Sequence, residues 1–118
     1  MELVGRITRA VPNAACLLVG PPDRAVREDA STWQTASNLV AVVASQARVA
    51  RATGCGFYNQ FLAMGGQGSM ARWASESPPR GGRDRVHLTR DGYSELGTKL
   101  ANDLVMAYEQ WRLTRRKY

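Results

Sequence analysis

The chain contains one histidine, two cysteines and no long run of apolar residues. Because no histidine lies near Cys16 or Cys55, the chain cannot form a zinc site of the usual spacing, and we expect no metal and no cofactor. Each cysteine lies in a short apolar run, which predicts a buried thiol. No apolar stretch approaches the ~20 residues that a membrane span needs, and the N-terminus lacks a signal-peptide pattern.

The composition fits one small domain with a hydrophobic core. The chain has 118 residues, of which 44% are hydrophobic. The formal net charge of +6 suits acidic partners. No basic stripe is interleaved with aromatic residues and no reader motif occurs, so a nucleic-acid partner is disfavoured. The basic tail over residues 112–118 is typical of a solvated helix end.

The first part of the chain predicts a helix followed by a strand. Apolar residues recur at helical spacing over residues 2–11. Residues 15–20 form a continuous apolar run, which is typical of a buried parallel strand. The charged residues 24–30 predict a loop.

A capping box predicts that a long helix begins near residue 31. Ser31 is the expected N-cap, with Gln34 three residues later. The apolar face of this helix would begin with Trp33 and Ala36, and Gly54 would end the helix.

The rest of the chain predicts a second strand and a long final helix. Residues 55–58 favour a strand, and short helical turns are expected at residues 61–64 and 70–74. Thr89 is the expected N-cap of the final helix. Short loops between the elements favour parallel strands joined by right-handed crossovers. The predicted class is therefore α/β, with parallel strands and flanking helices.

The single histidine lies in a pattern that suits acid–base chemistry. Asp84 precedes His87 by three residues, and a helix is expected to start just after them. An aspartate at this spacing can hold one imidazole nitrogen and fix the tautomer, which leaves the other nitrogen free to take a proton. The two residues therefore supply the acid–base part of a Ser-His-Asp triad.

The segment Asp84-x-x-His87-Leu88-Thr89-x-x-Gly92-Tyr93 resembles the last conserved block of the SGNH (GDSL-type) esterases and lipases. The resemblance implies a flavodoxin-like, three-layer α/β/α fold and a catalytic role for Asp84 and His87. It also implies a nucleophilic serine in a Gly-Asp-Ser motif after the first strand, and oxyanion donors from two later blocks.

Neither Gly-Asp-Ser nor Gly-x-Asn-Asp occurs in the sequence. The resemblance therefore covers the C-terminal half of the family fold and runs over essentially the whole chain. We expect residues 1–118 to form one partial domain that lacks the N-terminal strands and the nucleophile block. A gene fragment, a misplaced start codon and one piece of a split enzyme all fit this pattern. The chain alone is expected to have little or no esterase activity.

A glycine-rich stretch offers weaker candidates. Ser69 follows Gly65-Gly66-Gln67-Gly68, but the Gly-x-Ser-x-Gly pattern of a nucleophile elbow is absent. An N-cap role for Ser69 is favoured over a nucleophilic one. The glycines lack the Gly-Lys-Ser/Thr of a phosphate loop. With Met64, Met70 and Trp73, the stretch resembles a loop in a subset of SGNH proteins that includes carbohydrate O-acetyl esterases.

Three further residues are candidates for substrate contact. Trp73 would lie near the active-site rim in a relative, although tryptophan more often packs in a core. Asn59 and Asp23 follow the expected strand ends, where open α/β sheets bind ligands. Both could equally cap loops.

Two functions from different classes remain open at this point. The first is the C-terminal segment of an ester hydrolase that acts on an acyl or acetyl ester once it is completed. The second is a non-catalytic assembly module that pairs through an exposed sheet edge, as a homo-oligomer or with an N-terminal half. The cellular location stays open in both.

Overall fold

The computed structural model describes residues 1–115. The elements are, in chain order, α1 (Glu2–Ala10), β1 (Leu17–Val19), β2 (Ala25–Arg27), β3 (Trp33–Thr35), α2 (Leu39–Thr53), β4 (Gly56–Tyr58), α3 (Gln60–Ala63), α4 (Ser69–Ser75) and α5 (Arg90–Arg115). The basic tail expected at residues 112–118 lies partly outside the described residues.

β1 and β4 form a parallel pair, as the sequence predicts. Leu18 is in register with Phe57, and the Gly20 amide continues the ladder by donating to the Tyr58 carbonyl. The connecting helix α2 contacts both strands and ends at Gly54, whose φ of 74° places it in the left-handed region that favours glycine. The α/β class with a parallel sheet and flanking helices is thereby confirmed.

The prediction that a helix begins at residue 31 is wrong, because β2 and β3 form an antiparallel hairpin there. The Asp29 carboxylate accepts hydrogen bonds from the backbone amides of Ser31 and Thr32, each at 2.8 Å. These two hydrogen bonds close a tight turn, and one of them uses the amide of Ser31, the expected N-cap residue. The loop expected at residues 24–30 contains β2 for the same reason, and the helix begins only at Leu39.

Two apolar clusters form the core. The larger one brings together the hairpin, α4 and α5 through buried Ala25, Met70 and Leu96. The smaller one lies between α2 and α3 and contains Leu39 and Phe61. The loop that contains Asp84 and His87 is followed by Leu88, which is buried in the larger cluster.

The expectation of two free thiols is wrong, because Cys16 and Cys55 form a disulfide. Cys16 precedes β1 and Cys55 precedes β4, so parallel pairing brings the two sulfurs together at the start of the sheet. Separate short apolar runs do not reveal this pairing, since the register of the two strands decides it.

Several apolar surfaces of the chain are uncovered. α1 buries none of its residues, and Leu17 and Val19 of β1 are also exposed. A groove of about 380 Å³ runs between these two elements and α2. Gly92 and Leu96 are the buried residues of α5, whereas Val105 and Trp111 farther along are exposed. No helix within residues 1–115 combines the length and the apolarity that crossing a membrane requires.

Candidate active site

The Asp84–His87 segment is a tight loop held by backbone hydrogen bonds. The Gly82 amide donates to the His87 carbonyl at 2.7 Å, and the Arg85 amide donates to the Gly82 carbonyl at 3.0 Å. The Arg85 carbonyl in turn accepts from the Ala25 amide, which ties the loop to the start of β2. The loop therefore has a fixed position relative to the hairpin.

The Asp84 side chain orients the histidine in this loop. One carboxylate oxygen accepts from the amides of Val86 and His87, each at 3.0 Å. The other lies 2.7 Å from Nδ1 of the His87 ring. The His87 side chain is 74% exposed, so Nε2 is open to a reactant. A neutral imidazole in this position carries its proton on Nδ1 and can accept one at Nε2.

The same contacts keep the carboxylate charged. The hydrogen bond from the His87 ring, followed by those from the two backbone amides, lowers the pKa of Asp84 well below its usual range. The carboxylate is therefore ionised at neutral pH. An ionised group at Nδ1 stabilises the imidazolium that forms when Nε2 takes a proton.

The backbone packing at position 92 explains why the Asp84–Tyr93 block has a glycine there. The side-chain hydroxyl of Thr89 accepts from the Gly92 amide at 3.2 Å and thus caps α5 as predicted. At Gly92 the backbone of Arg80 crosses the helix, and an added Cβ would overlap the Arg80 carbonyl oxygen. Close approach at this point lets the segment before the Asp84–His87 loop lie against α5.

We expect Gly92→Ala to lower the free energy of unfolding by about 3 kcal/mol, because a backbone atom blocks the new methyl group. Gly97→Ala is the matched control in the same helix, since a Cβ there meets nothing within 4 Å. This control should be neutral or raise stability by up to about 1 kcal/mol. Urea denaturation of both variants measures the difference, and equal stabilities would contradict the close approach.

Ser69 does not have the geometry of a nucleophile in this chain. The serine is fully buried, and its hydroxyl donates to Asp23 at 3.3 Å. The expected N-cap role is also wrong, because Ser69 is the first residue of α4 and Gly68 is the N-cap. Asp23 also accepts from the Met70 amide at 2.9 Å, so its carboxylate holds the start of α4.

Asn59 and Trp73 have structural contacts in the described chain. The Asn59 side chain accepts from the Leu62 amide and caps α3. Trp73 is 4% exposed and belongs to the larger core cluster, with the Arg80 guanidinium 4.1 Å from its ring centre. Substrate contact by these two residues stays a prediction, while capping and packing account for the positions they occupy.

The sequence does not indicate one further group beside the loop. Arg85 lies 4.1 Å from the centre of the Trp33 ring, and Arg27 lies 5.0 Å from it. The three residues come from the Asp84–His87 loop and from both strands of the hairpin. No local spacing could reveal this group, because the unexpected hairpin brings it together.

No metal centre is suggested by the side chains that the structure describes. Within residues 1–115, no group of three or more His, Cys, Asp or Glu side chains could hold a metal ion.

Comparison with known proteins gives one informative match. No family model matches the chain, and no curated protein does. The chain resembles the solved structure of a peptidoglycan O-acetylesterase with a TM-score of 0.82 and 28% sequence identity. The match covers 92% of this chain but 31% of the esterase, so the chain spans less than a third of that protein's length. This likeness supports the resemblance of the chain to a part of the SGNH-type esterase fold.

Proposed function

We propose that the chain is the C-terminal part of an SGNH-type ester hydrolase and contributes Asp84 and His87 to its catalytic triad. The observation that carries the proposal is the 2.7 Å contact between Asp84 and Nδ1 of an exposed His87 ring. Residues 1–118 would form one partial domain of a three-layer α/β/α fold. The nucleophilic serine and the oxyanion donors would come from a segment outside this sequence.

The geometry supports a defined sequence of proton transfers. His87 Nε2 would take the proton of the serine hydroxyl as the hydroxyl oxygen attacks the ester carbonyl. His87 would then give this proton to the departing alcohol, and the same cycle with water would release the acid. Asp84 would keep the imidazole in place and offset its charge in both halves.

The proposed substrate is an acetyl ester of a carbohydrate. The similar protein is named a peptidoglycan O-acetylesterase, and the stretch with Gly65, Gly66 and Trp73 resembles a loop of carbohydrate O-acetyl esterases. Fold likeness alone is weak support for a substrate, so this step depends on the sequence identity of 28% and on the resemblance of the glycine-rich loop.

The direct test is hydrolysis of p-nitrophenyl acetate by the chain as given. We expect no turnover above the rate of buffer with unrelated protein, and no difference between the wild type and His87→Ala. The reason is that an acid–base pair without a nucleophile and oxyanion donors gives little catalysis. Robust turnover that His87→Ala abolishes would show that the chain carries its own nucleophile.

The exposed sheet surface supports assembly as a second candidate function. Leu17 and Val19 of β1 are more than 40% exposed, and the apolar residues Leu3 and Ile7 of α1 are exposed as well. Uncovered strands and apolar faces favour pairing with another chain. Light scattering after size exclusion should then give a mass above that of the 13.0 kDa monomer. A monomer at high concentration would remove self-assembly as a function.

A further inference from the structure

The side chain of Arg80 joins two helices just before the Asp84–His87 loop. Its Nε and Nη2 donate to the two carboxylate oxygens of Glu76 at the end of α4, each at 2.6 Å. Its Nη1 donates to the carboxylate of Glu95 in α5, also at 2.6 Å. The guanidinium carbon lies 4.1 Å from the ring centre of Trp73, a core residue of α4. One half-buried guanidinium therefore binds to both helices at once.

The backbone of Arg80 is held between the same two helices. Its amide donates to the Trp73 carbonyl in α4 at 2.9 Å. Its carbonyl accepts from the amide of Thr89, just before α5, at 3.0 Å, and lies against Gly92 of that helix. Because both its backbone and its side chain are bound, Arg80 has one defined position between α4 and α5.

Arg80 begins the segment that pairs across the base of the loop. Gly81 forms an antiparallel bridge with Leu88, and the Gly82 amide donates to the His87 carbonyl at 2.7 Å. The backbone of His87 is thus bound by a residue only two positions after Arg80. A shift of Arg80 would therefore displace the histidine as well.

The hydrogen bonds within the loop have a different effect. The Asp84 carboxylate bonds to the amides of Val86 and His87 and to the His87 ring, all inside the loop. These bonds orient the ring relative to the loop, whereas the location of the loop depends on contacts to the rest of the chain. The Ala25–Arg85 hydrogen bond ties the loop to β2, and Arg80 ties its base to α4 and α5.

We propose that Arg80 is a positioning residue for His87. Its contacts to Glu76 and Glu95 fix the base of the loop and thereby hold the imidazole in the geometry for proton transfer. A guanidinium suits this role, because its planar fork binds carboxylates in a fixed direction and stacks on an aromatic ring. A displacement of about 1 Å is enough to impair such a transfer. The inference rests on the proposed function for the role of the imidazole, but the state of the ring can be measured without catalysis.

The test is NMR of the two ring nitrogens of His87 in the intact chain, at an alkaline pH at which the imidazole is neutral. The chain has one histidine, so these signals belong to His87. Their shifts give the fraction of molecules with the proton on Nδ1, the tautomer that Asp84 selects. In Arg80→Met this fraction should fall about twofold or more, toward the value in Asp84→Asn, because the loop loses its three charge-assisted hydrogen bonds. A folded Arg80→Met variant with wild-type signals would overturn the proposal.

Two milder variants keep the test decisive if Arg80→Met does not fold. Glu95→Gln removes the charged partner in α5 and leaves the contact to Glu76, so the Nδ1-protonated fraction should fall by a smaller amount. Arg80→Lys keeps the charge but loses the planar fork, and its value should lie between those of the wild type and Arg80→Met. Wild-type values in Glu95→Gln and Arg80→Lys would overturn the proposal.

Arg112→Met is the matched control, because Arg112 forms an ion pair with Glu109 at the same N–O distance of 2.6 Å. Arg112 lies about 25 Å farther along α5 than Glu95, well away from the loop. The His87 signals of this variant should equal those of the wild type. An equal change in Arg112→Met would assign the effect to net charge or to general stability and would overturn the role of Arg80.

Kinetics then separate this role from the proposed esterase function. In an enzyme completed with the nucleophile segment, Arg80→Met should lower kcat about tenfold and leave KM nearly unchanged, since the imidazole and not the substrate is displaced. An unchanged kcat with a raised KM would identify Arg80 as a substrate contact and overturn its positioning role. If the completed wild type has no activity, the proposed function fails, while the NMR series still decides whether Arg80 positions the ring.

Discussion

Replacing both Cys16 and Cys55 by alanine should lower the free energy of unfolding by about 4 kcal/mol. The disulfide closes a loop across a sequence separation of 39 residues. In the chain-entropy model, a cross-link over a loop of this length removes about that much free energy from the unfolded state. Since small domains are stable by only ~5–15 kcal/mol, the variant should be partly unfolded at moderate urea concentrations.

Urea denaturation of the oxidised wild type and of the double variant measures this loss. Dithiothreitol should bring the wild type to the stability of the variant and leave the variant unchanged. Equal stability of the oxidised wild type and the double variant would show that the disulfide does not constrain the unfolded chain. Because disulfides persist in oxidising compartments, a large effect would also suit a protein that works in such an environment.

The parts of the fold that the sequence predicts correctly depend on local interactions. Gly54 ends α2 in the left-handed conformation, and Thr89 caps α5 through its hydroxyl. The proximity of Asp84 and His87 is equally local, because three residues separate them and a tight loop closes the distance. In each case the residue type and its near neighbours contain the required information.

The features that the sequence does not predict depend on a competing local contact or on distant parts of the chain. The capping pattern at Ser31 does not start a helix, because the Asp29 carboxylate accepts a hydrogen bond from the Ser31 amide in a hairpin turn. The disulfide depends on the register between β1 and β4. Ser69 has a suitable sequence for an N-cap, but its hydroxyl bonds to Asp23, a residue 46 positions away. Contacts between distant residues decide the disulfide and the place of Ser69, whereas a competing local contact decides the turn at Ser31.

The Arg27–Trp33–Arg85 group shows how the unpredicted hairpin changes the surroundings of the candidate site. As part of a helix, Trp33 would face the core, and Arg85 would be an ordinary loop residue. The hairpin instead places the Trp33 ring against Arg85 of the Asp84–His87 loop. The contact between Asp84 and His87 could therefore be predicted from the sequence, whereas the contact between Trp33 and Arg85 could not.

A hybrid enzyme should depend strongly on His87. In it, this chain replaces the matching 31% of the peptidoglycan O-acetylesterase, whose remaining part would supply the nucleophile and the oxyanion donors. His87→Ala should lower kcat for acetyl-ester hydrolysis by about 10³-fold or more, because the serine would lose its general base. Asp84→Asn should also lower kcat strongly, since the imidazole would lose its orientation and its compensating charge.

Arg48→Gln serves as the control variant in the hybrid, because Arg48 lies on α2 and its exposed guanidinium donates to the nearby Ser45 hydroxyl. Its kcat should equal that of the unmodified hybrid. Thermal unfolding of all variants shows whether a loss of activity reflects a loss of fold.

The most direct measurement is kcat of this hybrid with and without His87. Activity that falls by about 10³-fold in a folded His87→Ala variant is the predicted result. A folded, active hybrid whose kcat is the same with alanine at position 87 would contradict the assignment of Asp84 and His87 as its acid–base pair.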